Sequence, residues 1–176
     1  MNVTGTWKGQ YTFDDTNPAP IEPDPDNPAP QAGPSGPTVS SHVIGTVVTF
    51  TLELKQGWLG NVTGTIQEDA RHGFPEPGKI KGRLKGANFD FRKYMPVLRM
   101  MHESSRLTLE EWAERRKMVF DASRAHPPIV YMGDISPDGN TIEGTWKMPA
   151  TSLDVPGSYN QAQLPALGGT WKITRA

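Results

Sequence analysis

The chain has 176 residues with 18 basic and 19 acidic side chains, a near-neutral balance that argues against a dedicated nucleic-acid or membrane-surface binder. It contains no cysteine, which excludes disulfides, thiolate metal ligands and a cysteine nucleophile, and its 18 glycines and 17 prolines favour many turns over a helical bundle. No apolar run reaches the roughly 18 residues of a membrane-spanning helix. Gly5-Thr6-Trp7 already reads as a strand with no room for a leader before it, so one soluble, cytoplasmic domain spanning residues 1–176 is expected.

From the N-terminus, Thr4 to Phe13 alternates with period two: Trp7, Tyr11 and Phe13 share one face, and Thr6, Lys8, Gln10 and Thr12 the other. Asn17 to Thr38 follows, with eight prolines in 22 residues and acidic side chains around it; such a segment buries too little apolar surface to offset its ordering entropy and predicts an extended or disordered loop. Ile44 to Leu54 groups Ile44, Val48, Phe50, Leu52 and Leu54 on one face, and Leu59 to Glu68 sets Val62 and Ile66 against Asn61, Thr63, Thr65 and Gln67. Lys79 to Gly86 alternates without a fault, and Phe89 with Phe91 marks a fifth strand.

Met95 to Pro128 breaks the alternation. Thr108-Leu109-Glu110-Glu111 has the spacing of a capping box, and Leu109, Trp112 and Ala113 form a narrow apolar stripe, which predicts one short helix lying on something larger. Strands resume at Ile129, Tyr131 and Ile135, at Ile142, Trp146 and Met148, and, after a spacer from Pro149 to Leu167, at Trp171 and Ile173. Eight short strands with glycines interleaved among large inward side chains predict an all-β, eight-stranded antiparallel up-and-down barrel with one helical lid inserted between strands five and six. Antiparallel order then puts the four long connections on one rim and the short ones on the other, so a pocket is expected at the long-loop mouth.

Gly5-x-Trp7 on the first strand and Arg175 at the end of the last are similar to the signature of the calycin superfamily, the lipocalins, fatty-acid-binding proteins and avidins. The resemblance implies a barrel that binds a small, often apolar molecule, with the first-strand Trp at the closed end and the basic residue of the final strand across it. The chain departs from lipocalins in having no helix after the last strand and from fatty-acid-binding proteins in having no helical pair after the first. It lacks the residues with which avidins contact biotin, so the resemblance implies no particular ligand.

Read from the residues, a ligand would meet Tyr11, Phe50, Phe91, Tyr131, Trp146 and Trp171 inside, Glu68 and Lys93 as polar anchors at the mouth, and Met100 and Trp112 from the lid. Glu68 and Lys93 end strands on either side of the fourth, about 10 Å apart by strand spacing, within joint reach of one polar group or paired as a rim salt bridge. The methionines Met95, Met100, Met101 and Met118 suit a surface that adapts to a guest, or a plug that fills the barrel. Lys79, Lys81, Arg83 and Lys85 form a basic stripe read as a solvated face, because the aromatics that would stack on a nucleic acid point the other way. His42, His72, His102 and His126 show no ligand spacing and read as scattered surface residues, so neither a metal nor a cofactor is expected. The expected function is binding of a small apolar or aromatic molecule, with no nucleic acid or membrane as partner. A cofactor-independent isomerase or cyclase acting in the cavity, or a filled barrel that captures a protein partner through its Pro-rich loop, are the alternatives.

Overall fold

A computed structural model describes residues 1–14, 44–69, 71, 73–96, 99–102, 105–108, 126–154, 161–164 and 166–176, with side chains outside 97–125 and 152–165. Eight strands close into a barrel: β1 (Gly5–Thr12), β2 (Val47–Gln56), β3 (Asn61–Glu68), β4 (Gly78–Lys85), β5 (Asn88–Tyr94), β8 (Ile129–Ile135), β9 (Thr141–Met148) and β12 (Leu167–Arg175). The order around the barrel is β1-β12-β9-β8-β5-β4-β3-β2, returning to β1, and every pairing is antiparallel. The up-and-down barrel read from the alternation is therefore the fold. The barrel sheet has no open edge, because β1 pairs β2 along its full length, Gly5 facing Leu54 and Thr12 facing Val47.

The pleat sorts the side chains as the alternation requires. Trp7, Tyr11, Val48, Phe50, Leu52, Leu54, Val62, Ile66, Ile80, Phe89, Phe91, Tyr131, Ile142, Trp146, Trp171 and Ile173 are all buried in one continuous core, while Lys79, Lys81, Arg83 and Lys85 stand outside. Glycines let the wall bend onto this core. A Cβ at Gly82 would stand 2.6 Å from the Phe91 Cβ, and one at Gly133 2.6 Å from Cζ2 of Trp171.

Two loops differ from the pattern expected of them. Where the insertion between β5 and β8 is described it is a two-stranded ribbon, β6 (Arg99–His102) paired with β7 (Ser105–Thr108), and Thr108, read as a helix cap, is the last residue of β7. A capping box marks where a helix can begin; here its first residue is already committed to a ladder. The remainder of the expected helix, 109–125, lies outside the described residues, among which the 3-10 turn Trp58–Gly60 is the sole helical element. The spacer before β12 likewise carries a ribbon, β10 (Thr151–Asp154) with β11 (Gln161–Leu164). The Pro-rich loop, 17–38, lies outside the described residues.

The starts of two strands also shift. Ile44, grouped with the core by alternation, sits in a turn before β2 at 41% exposure, because Gly45 at φ 81° redirects the backbone before the pleat begins. Leu59 does not open β3; it occupies the 3-10 turn with φ 58° and ψ 23°. A left-handed conformation costs an L-residue with a side chain about 1–2 kcal/mol. Leu59→Gly is therefore expected to raise stability by about 0.5–1 kcal/mol, part of the relief being offset by the greater entropy of Gly in the unfolded chain. A thermal midpoint that falls instead would show that the Leu59 side chain stabilises the turn.

Candidate functional site

The antiparallel order places the connections 13–46, 69–77, 95–128 and 149–166 on one rim and 57–60, 86–87 and 136–140 on the other. The aromatic and polar residues read as ligand contacts converge toward the first rim. Tyr11 comes from the end of β1, Phe50 from β2, Glu68 from the last position of β3, Lys93 from the end of β5, Tyr131 from β8, Trp146 from β9 and Trp171 from β12, and all are buried.

Their rings pack against one another. Phe91 and Tyr131 stack at 4.5 Å between centroids and 5° between planes; Trp171 meets both edge-on at 5.4 and 5.6 Å; Tyr11 meets Trp146 at 5.3 Å and Phe50 at 5.9 Å. These are contact separations for aromatic pairs, so the middle of the barrel is occupied by its own side chains. Two indoles also tie the core to the wall: Trp146 Nε1 donates to Thr12 O (2.8 Å), and Trp171 Nε1 to Met132 O (3.0 Å) and Thr145 O (3.1 Å). Surface depressions of about 420 and 330 Å³ lie on the outer wall, one around Gln10, Thr145, Thr170 and Trp171 and the other beside the 136–140 turn.

Glu68 and Lys93 do not stand apart. They form a salt bridge with side chains at 1% and 0% exposure, Lys93 Nζ donating to Glu68 Oε1. The lysine stem spans the distance across β4 that strand spacing alone leaves open. Glu68 Oε2 accepts the backbone N–H of Phe74 at 2.7 Å, and the ammonium lies 5.1 Å from the Phe74 ring, 5.2 Å from Tyr11 and 5.8 Å from Tyr131. Three electron-rich faces and one carboxylate thus hold a cation inside an otherwise apolar barrel. The loop 69–77 can close over the carboxylate because residue 73 is Gly: a Cβ there would lie 2.2 Å from the Glu68 Cβ.

Phe74 and His126 belong to this cluster and no motif marked them. Phe74 is 1% exposed, and the His126 ring meets it edge-on at 5.0 Å and 88°, with Nδ1 donating to Pro127 O at 2.7 Å. His126, expected at the surface, is 6% exposed. It is buried because Phe74 and Pro127 give it an apolar face and a carbonyl. The signal available was its position in His126-Pro127-Pro128, directly before β8. Met95 also enters the core at 4% exposure, where a Cβ at Gly78 would lie 2.6 Å from its sulfur. Of the lid residues, Met100 lies in β6 with its side chain undescribed, and Trp112 lies outside the described residues, as do His42 and His72.

At the opposite rim, Trp7 is fully buried, with Nε1 donating to Val3 O at 2.9 Å, and the Arg175 guanidinium lies 4.5 Å over its ring. Arg175 also donates to Thr4 O (3.0 Å) and Asn2 O (2.7 Å), closing that end. At the mouth, Asp14 Oδ2 accepts from the Thr170 N–H (3.0 Å) and hydroxyl (2.7 Å). Partial burial pushes the Asp14 carboxyl up, but these bonds and one from Thr12 outweigh it and hold the group below the usual carboxylate value.

Among the described residues no three His, Asp or Glu side chains gather around a common point that could hold a metal ion. None of their helices is long and apolar enough to cross a membrane. No family model, curated protein or solved structure matches the chain.

Proposed function

We propose that this barrel binds a small aromatic or apolar molecule bearing an anionic or other accepting group, at the long-loop rim beside Lys93. The observation that carries the reading is the buried Glu68–Lys93 pair. Removing two charges from water costs several kcal/mol per ion, and their mutual attraction repays this poorly unless geometry and further hydrogen bonds are favourable. Apolar residues of the same volume would seal the barrel at less cost. A cation held among the rings of Tyr11, Phe74 and Tyr131 at the mouth supplies what a ligand site in an apolar cup needs, one oriented polar group. The ammonium also attracts a nearby anionic group through its charge. The calycin reading is in keeping with this: Arg175 lies over the first-strand Trp7, and the loops gather at the other end.

The ring-packed middle favours a second reading, a filled barrel that acts through its surface. Titration separates the two. Naphthoate, naphthamide and an aliphatic carboxylate of similar length are added to the full chain while heat and Trp emission are followed. Saturable one-to-one binding is expected, about tenfold tighter for naphthoate than for its amide, a difference of about 1.4 kcal/mol. Lys93→Met should abolish that preference. Absence of saturable binding by all three probes would favour the filled barrel.

A further inference from the structure

The short-loop rim carries an apolar tip that the ligand site does not use. Among the described residues the two most exposed large hydrophobics are Trp58 at 90% and Leu59 at 76%, adjacent at the turn between β2 and β3 and flanked by Gly57 and Gly60. The position of the tip is fixed. Gly60, at φ 78°, passes so close to β4 that a Cβ would lie 2.3 Å from Leu84 O, and Gly57 N–H donates to Asn61 O at 2.7 Å. Leu59 is held in a left-handed conformation that leaves its side chain in water. Strain of this kind beside an exposed indole, with no packing in return, marks a contact surface.

The wall next to this tip is basic. Lys55 leads into it along β2, and Lys79, Lys81, Arg83 and Lys85 point outward from β4, the strand it leans on. Arg92 faces Lys81 across the β4–β5 ladder. The acids near it are Glu53, hydrogen-bonded to the Thr6 hydroxyl, Asp90, opposite Arg83, and Asp134, which accepts from the Asn88 amide, so bases prevail. A net charge of −1 for the whole chain averages over this segregation.

We propose that this corner docks on a bilayer surface rich in anionic lipid, Trp58 and Leu59 entering the headgroup region and the lysines and arginines lying over it. Trp is suited to the membrane interface, where its ring is apolar and its N–H stays wet. Basic residues near a negatively charged leaflet add attraction that salt weakens. A nucleic acid fits less well: Leu59 has no π-face, and Trp58 sits in the rim turn, not on the strand that carries the stripe. A second copy of the chain would bring basic faces together.

The test uses the full chain and vesicles of phosphatidylcholine, with and without phosphatidylserine, in flotation assays. Binding is expected only to the phosphatidylserine vesicles. Trp58→Ser should weaken it about tenfold or more, Lys81→Glu with Lys85→Glu should abolish it, and high salt should reverse it. Because these side chains are exposed, circular dichroism and the melting midpoint should stay unchanged in each variant. Brominated lipid should quench the wild-type emission and not that of Trp58→Ser. Absence of vesicle binding, equal binding to both vesicles, or binding untouched by Trp58→Ser would overturn the proposal. So would Trp58-dependent dimerisation in sedimentation, or Trp58-dependent binding of single-stranded RNA without vesicle binding.

Discussion

Glu68→Leu is expected to destabilise the fold by about 3–5 kcal/mol, the cost of leaving a buried ion without its partner. Lys93 is 0% exposed, and in this variant its ammonium would keep the Tyr11, Phe74 and Tyr131 rings but lose the Glu68 carboxylate. The Phe74 N–H, now donating to Glu68 Oε2, would lose its acceptor as well. Lys93→Met should cost less, because the remaining carboxyl keeps the Phe74 N–H and can shed its charge by taking up a proton. The double variant, Glu68→Leu with Lys93→Met, removes both charges at nearly constant volume and should recover most of the loss. Recovery beyond the wild type would mean that the pair is retained at a cost to stability, as a ligand site allows and a structural staple does not. Urea unfolding with an unchanged slope measures all three. A loss under about 1 kcal/mol for Glu68→Leu would show that water reaches Lys93, removing the desolvation argument on which the proposed site stands.

Period two assigns every strand residue to a face, so the eight barrel strands, their order and the inward positions of Tyr11, Phe91, Tyr131 and Trp146 are legible in the sequence. Alternating short and long connections likewise placed Glu68 and Lys93 on the same rim. Their direct contact was not readable, because it depends on the reach of a lysine stem across β4 and on a loop folding down over the carboxylate through Gly73. Phe74 and His126 sit in loops, where no period relates sequence to direction, and their rings meet edge-on in the buried cluster at the rim. The β6–β7 and β10–β11 ribbons escaped for a related reason: four-residue strands that pair locally need no long apolar pattern. At Leu59 the strand boundary itself was misplaced: this residue falls in the polar phase of Asn61 and Thr63, and its turn runs left-handed instead of opening the strand.

Trp7→Ala should cost about 3–5 kcal/mol as well, at the other end of the barrel. The indole is fully buried where β1 and β12 meet, and it is held on two sides: Nε1 donates to Val3 O, and the Arg175 guanidinium covers its face at 4.5 Å. Truncation leaves a cavity that the ladders on either side of β1 cannot collapse into, since Trp7 pairs Leu52 on one flank and Arg175 on the other. Arg175 loses its platform too, but its donors remain on Thr4 O and Asn2 O, so the rim should stay tied. Arg175→Met therefore provides the control. It keeps apolar cover over the ring and removes the cation–π contact and two hydrogen bonds, for about 1–3 kcal/mol. If Arg175→Met costs as much as Trp7→Ala, the guanidinium and not the indole closes this end. Because Trp7 lies at the rim opposite Lys93, naphthoate affinity measured well below the melting midpoint should be the same in Trp7→Ala as in wild type. Loss of that affinity together with stability would show that the two ends are coupled through the ring stack, and that the packed middle of the barrel transmits strain from floor to mouth.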